Sequence, residues 1–134
     1  MPSRMMAGMD EKETERRKAR LTEICAGLPE ASATESGHGP YVTFRVRRKT
    51  FGWYLDGHQG DDRVSLWLKV TLDEQQALLG SDPERFFSVP YMGQHGWVGV
   101  RLDLPDIDWE EIAELATESY RLLAPKRLSD RLTL

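Results

Sequence analysis

A chain of 134 residues, 40% hydrophobic and 30% charged, with a mean hydropathy of -0.54, has the size and make-up of one globular domain around one core. No apolar run approaches the roughly 18 residues of a membrane span, and the Met-rich start (Met1, Met5, Met6, Met9) lacks the apolar stretch of a signal peptide, so a cytoplasmic protein is expected. A lone cysteine, Cys25, excludes an internal disulfide, and with three histidines it cannot complete a Cys/His zinc site.

The net charge of -4 is unevenly distributed. Residues 41–70 carry six basic and three acidic groups, residues 71–120 two and eleven, and residues 121–134 four and one. An acidic total argues mildly against a dedicated nucleic-acid binder, but the positive charge is gathered in the middle strands and the tail.

In chain order, residues 1–9 have neither a helical nor a strand period and read as a mobile leader. Asp10 to Ala26, free of Gly and Pro and rich in Glu, Lys, Arg and Ala, predicts a helix packed through Leu21, Ile24 and Cys25. Gly27 ends it as a C′ residue would, Pro29 prevents resumption, and residues 30–40 read as a loop. Tyr41 to Val46 alternates, with Val42, Phe44 and Val46 on the apolar side. Arg48 and Lys49 form the turn into a second strand that puts Phe51, Trp53 and Leu55 inward and Gly52 and Tyr54 outward. After the loop Asp56 to Asp62, Val64, Leu66, Leu68 and Val70 alternate with Arg63, Ser65, Trp67 and Lys69 as a third strand.

Thr71 with Glu74 forms a capping box opening a short helix through Leu79, which Gly80 ends. Asp82 and Pro83 start about one further turn, and a short strand around Phe87 to Tyr91 pairs with a fourth strand within Gln94 to Leu102. Asp108 and Glu111 cap a last helix, in which Ile112, Leu115, Ala116, Ser119, Leu122 and Leu123 recur at helical spacing up to Pro125. The expected fold is α+β in two layers, an antiparallel sheet with helices on one face. The domain spans 10–128, with 129–134 as a tail.

The sheet side away from the helices then carries Thr43, Arg45, Arg47, Tyr54, Trp67, Lys69, Trp97 and Arg101. Interleaved aromatic and cationic side chains suit base stacking with phosphate neutralisation. They equally suit a protein interface, or plain cross-strand packing with Arg on Trp. Asp56, His58, Asp61 and Asp62 could supply oxygen and imidazole ligands to a divalent ion, but these are ordinary turn residues and no metal is expected. Cys25 reads as a core thiol. The acidic run 103–118 complements the N-terminus of the last helix and faces solvent. No GxSxG, P-loop, GxGxxG or HExxH occurs, so no cofactor or catalytic residue is expected.

The order and spacing of LPE (28–30), FRVRRKTFGWY (44–54), SLWLK (65–69), DPERFF (82–87), HGWVGVRLD (95–103) and SYRLLAPKRL (119–128) resemble the MmcQ/YjbR-like proteins over about residues 20–128. The resemblance implies a CyaY-like fold with a double-wing arrangement labelled DNA-binding. Carried over, the wings are the hairpins near Arg45, Arg47, Arg48 and Lys49 and near Tyr91 to Arg101, with Lys126 and Arg127 contributing from the tail. It transfers no catalytic residues. Frataxin-type proteins, likewise CyaY-like, bind iron through acidic residues of the first helix and strand. Here Asp10, Glu11, Glu13 and Glu15 are interrupted by Lys12, Arg16, Arg17 and Lys18 and the strand at 41–46 is basic, which argues against iron. The expectation is a non-catalytic domain that binds DNA through the basic and aromatic sheet face and its hairpins. The alternatives are a protein partner on the same face and, behind it, a small-ligand or enzymatic pocket near His95 and Trp97.

Overall fold

The computed structural model describes residues 10–35, 41–56, 63–89 and 93–133. The leader, the histidines at 38 and 58, the aspartates at 61 and 62, and Tyr91 lie outside the described residues. Three helices begin where an acceptor side chain takes up an otherwise unpaired amide. Asp10 accepts from the Glu13 amide at 2.8 Å to open α1 (Glu11–Ala26), Thr71 from Glu74 at 3.1 Å to open α2 (Leu72–Ser81), and Asp108 from Glu111 at 3.1 Å to open α3 (Trp109–Leu123). A short α4 (Lys126–Asp130) follows α3. Gly80 lies inside α2, which runs on to Ser81. Gly27 keeps a right-handed φ of -78°, and the left-handed residue after α1 is Glu30, at φ 59°.

The described strands are β1 (Ala31–Glu35), β2 (Tyr41–Val46), β3 (Lys49–Asp56), β4 (Val64–Lys69), β5 (Phe86–Ser88) and β6 (Trp97–Arg101), in antiparallel order β1-β2-β3-β4-β6-β5. The α+β expectation therefore stands, with α1 over β1 and α3 crossing β3 and β4. β1 corrects the loop reading of 30–40. It is an edge strand of small and polar residues, Ala-Ser-Ala-Thr-Glu, whose pairing with β2 (Ala31 opposite Val46, Glu35 opposite Val42) supplies what its side chains do not advertise.

A β-bulge sets the phase of β3. Phe44 pairs with Gly52 but Arg45 pairs with Thr50, so Phe51 is the extra residue. Phe51 is fully buried, edge-on to Tyr120 at 5.8 Å and 6.4 Å from Phe44. Beyond the bulge, Tyr54 lies opposite Val42 on the core side, and Trp53 and Leu55 fall on the outer side. This reverses the expectation that Tyr54 faces outward and Trp53 inward, because one extra residue inverts every side chain beyond it.

The core joins Val42, Phe44, Val46, Leu66, Leu68, Val98 and Val100 of the sheet to Leu21 and Cys25 of α1, Ile112, Ala116 and Tyr120 of α3, and Leu128 of α4. Burial pushes the Cys25 thiol up to about 12, as befits a core thiol. Arg17 of α1 donates to the carbonyls of Leu102 and Leu104 at 2.7 and 2.6 Å, clamping the connection from β6 to α3. Gln75 of α2 donates to the Gly93 and Trp97 carbonyls, fixing the entry to β6. That entry requires glycine at Gly96, whose φ is 90° and whose added Cβ would lie 2.4 Å from the Val70 carbonyl oxygen.

Candidate nucleic-acid interface

On the outer side of the sheet, the cross-strand register runs Thr43, Trp53, Trp67, Gly99, Phe87. Trp97 stacks on Trp53 at 4.9 Å and 25°, and Trp67 meets Trp53 edge-on at 6.3 Å. Their rings therefore already serve as one another's partners, and Trp97 is only 7% exposed. The Trp67 indole N–H is buried without an acceptor among the described residues. The cations of this side are also engaged: Lys69 donates to the His95 carbonyl, and Arg101 meets both carboxylate oxygens of Asp103 at 3.0 and 3.3 Å. His95 itself is exposed in a short 3-10 turn. Tyr54 leaves the candidate set altogether, being 1% exposed within the core. Of the sheet-face candidates, Trp67, Lys69, Trp97 and Arg101 share one side as expected, but as a packed surface.

The remaining candidates converge at one end of the molecule. Arg45, Arg47, Arg48 and Lys49 surround the exposed β2–β3 turn. The Arg45 guanidinium donates to the Thr50 hydroxyl at 3.2 Å, and Arg47 pairs with Glu30 at 2.7 Å. Arg48 and Lys49 have no ionic partner among the described residues. Arg47, Arg48 and Lys49 form one wall of a groove whose other side is Leu122, Leu123, Ala124 and Pro125, at the end of α3. The chain then continues into Lys126, which pairs with Asp130 at 3.1 Å, and Arg127, which is exposed.

Three features of this end escape the sequence reading. Leu122, expected on the buried stripe of α3, is 46% exposed and forms part of the groove. Pro125 reads only as a helix terminator, yet it lines the groove. Arg131 stands close enough to the Tyr120 phenol to act on it: burial raises that group, Arg131 opposes, Glu30 adds to the rise and Arg47 opposes. The sequence signal for this end is the pair of basic clusters at 45–49 and 126–131.

The acidic residues of 103–118 behave as surface and capping groups. Glu111 binds Arg85, Asp103 binds Arg101 and Asp108 caps α3. Among the described residues, no three His, Cys, Asp or Glu side chains converge as metal ligands, and no helix is long and apolar enough to cross a membrane.

The architecture is that of a mixed α+β domain, with a six-stranded antiparallel sheet and helices packed on it. The family model described as YjbR matches residues 26–122, and the chain belongs to the YjbR family. Among solved structures it is similar to the Deinococcus radiodurans protein DR2400, described as a DUF419 domain. That match has 23% identity and a TM-score of 0.65, covering 85% of this chain and 86% of that one. It is also similar to a protein from Pseudomonas syringae, with 17% identity and a TM-score of 0.59, covering 85% and 98%. At these identities the likeness is one of fold. No curated protein matches.

Proposed function

We propose that this domain binds nucleic acid, DNA first, without catalysing a reaction, and that it does so in the cytoplasm. The contact is the β2–β3 turn together with the basic segment that follows α3. One observation carries this reading: Arg48 and Lys49 stand exposed and without an ionic partner among the described residues, across a groove from Pro125, which Lys126 and the exposed Arg127 follow in the chain. Phosphate binding requires cations that are not already neutralised by the protein, and here such cations are gathered at one end. In the double-wing arrangement that the resemblance implies, β2–β3 is the first wing. The second, near Tyr91 to Arg101, includes residues outside the described set.

Anisotropy of labelled double- and single-stranded DNA, titrated between about 50 and 200 mM salt, tests the reading. We expect affinity that falls steeply with salt and is lost in Arg48→Glu/Lys49→Glu, with the melting temperature of that variant close to wild type because both side chains are exposed. Absence of binding at the low-salt end overturns the reading.

A protein partner on the outer sheet is the second reading. It is favoured by the cluster that Trp53, Trp67 and Trp97 build on that side, an aromatic residue type enriched where proteins meet. Binding of that kind should vary little with salt.

A further inference from the structure

We infer that the groove between the β2–β3 turn and the end of α3 seats an unpaired base, while the phosphates flanking it lie on Arg48 and Lys49. This deepens the nucleic-acid reading and rests on it. The groove differs from an ordinary phosphate-binding ridge in having apolar residues behind its cations: Leu122, Leu123, Ala124 and Pro125 face Arg47, Arg48 and Lys49. Leu122 is one of two large hydrophobic side chains exposed by more than a third among the described residues, and it lies where the basic turn stands over it.

The shape decides what such a surface can accept. An apolar side chain set among cations gains from a ligand that offers an apolar face beside its charges, and the shallow groove leaves Leu122 open to such a face. In a paired duplex the phosphates lead and the base faces are covered by their neighbours. A paired base therefore cannot reach Leu122 or Pro125 without leaving the stack. An unpaired base offers an apolar face and flanking phosphates in the order that the groove and its rim require. The cations also continue beyond the groove, through Arg45 at one side and Arg127 at the other, which suits a chain of repeating charges better than an isolated carboxylate. Arg47 is half-spent on Glu30 and acts chiefly to hold the turn over the groove.

The test uses the full chain and three DNA probes: a blunt duplex, the same duplex with a single-stranded overhang carrying 2-aminopurine, and the isolated single strand. The overhang and single strand should bind about five- to tenfold more tightly than the blunt duplex, the lower end of what a stacked base contributes on an aromatic platform, because this groove is aliphatic. The 2-aminopurine emission should change on binding. Leu122→Asn, a neutral change at an exposed position, should erase both the preference and the emission change while leaving blunt-duplex affinity within about twofold. Equal affinity for all three probes in the wild-type protein overturns the inference and leaves the nucleic-acid reading intact, whereas absence of binding to any probe overturns both. Binding of a leucine–glutamate peptide that Leu122→Asn abolishes, without an overhang preference, assigns the groove to a protein segment and also overturns the inference.

Discussion

Arg47 and Glu30 are both left-handed, each at φ 59°, and their side chains form an ion pair at 2.7 Å. One lies in the β2–β3 turn and the other in the connection from α1 to β1, so the pair ties two tight turns together at the basic end of the molecule. Each non-glycine residue in that region costs roughly 1–2 kcal/mol. Both side chains are about half exposed, which limits the pair's contribution to roughly 0–1 kcal/mol.

These opposing effects make Arg47→Gly close to neutral, within about 1 kcal/mol of wild type in urea denaturation, since relief of the backbone offsets loss of the pair. Arg47→Val should cost more than Arg47→Gly by about 1–2 kcal/mol, because a β-branched side chain fits a positive φ badly. Equal stability of the two variants would show that the left-handed turn carries no strain.

The bulge at Phe51 is tested by comparing two aromatic truncations. Phe51→Ala should destabilise by about 3–5 kcal/mol, the range for a fully buried ring, while Trp53→Ala should cost distinctly less because Trp53 is half-buried on the outer side. A regular β3 without the bulge puts both rings on the core side and predicts comparably large losses, so chemical denaturation of the pair discriminates the two registers.

Gly99 is required by Phe87, which lies across from it on β5. A Cβ at position 99 would sit 2.3 to 2.6 Å from the Phe87 ring atoms, and the Arg63 guanidinium lies 3.7 Å from the ring centroid. Gly99→Ala should therefore cost about 1–3 kcal/mol. In a Phe87→Ala background the same substitution should cost much less, and a double-mutant cycle with no coupling would exclude the contact.

Burial raises the Asp56 carboxyl above its usual range, and the neighbouring Glu15 adds to the rise while Lys18 and Tyr54 oppose it. An acid whose folded value is raised binds its proton more readily in the native state. It therefore destabilises the fold as pH climbs from the ordinary carboxylate value through the folded one, and continues to do so above it. Asp56→Asn should accordingly raise the melting temperature at neutral pH and leave it nearly unchanged well below the ordinary carboxylate range. Thermal melts at the two pH values check the sign.

The parts legible from the residues alone were those written in neighbouring positions. The caps at Thr71 and Asp108 need only an acceptor and an amide three residues on, and the alternation of β2, β4 and β6 needs only a period of two. Local cues also located the basic turn, one residue late: it is Arg47 and Arg48, and Lys49, expected in the turn, already belongs to β3. The sheet-face prediction failed at Tyr54 and Trp53 because the bulge at Phe51 arises from how β2 and β3 pair, and no single strand contains that offset. β1 was missed for a related reason, since its small side chains show no periodicity and its identity comes from the backbone of β2.

The candidate site divides in the same way. Neighbouring residues alone define the helix starts at Thr71 and Asp108 and two basic clusters far apart in the chain. Folding alone puts residues 47–49 across from Leu122 and Pro125, bonds Lys69, Arg101 and Lys126 within the protein, and packs the tryptophans on one another. The physical reason is one of range. Capping and periodicity act over a few residues, whereas neutralisation of a charge and exposure of an apolar side chain depend on partners that the folded sheet brings together.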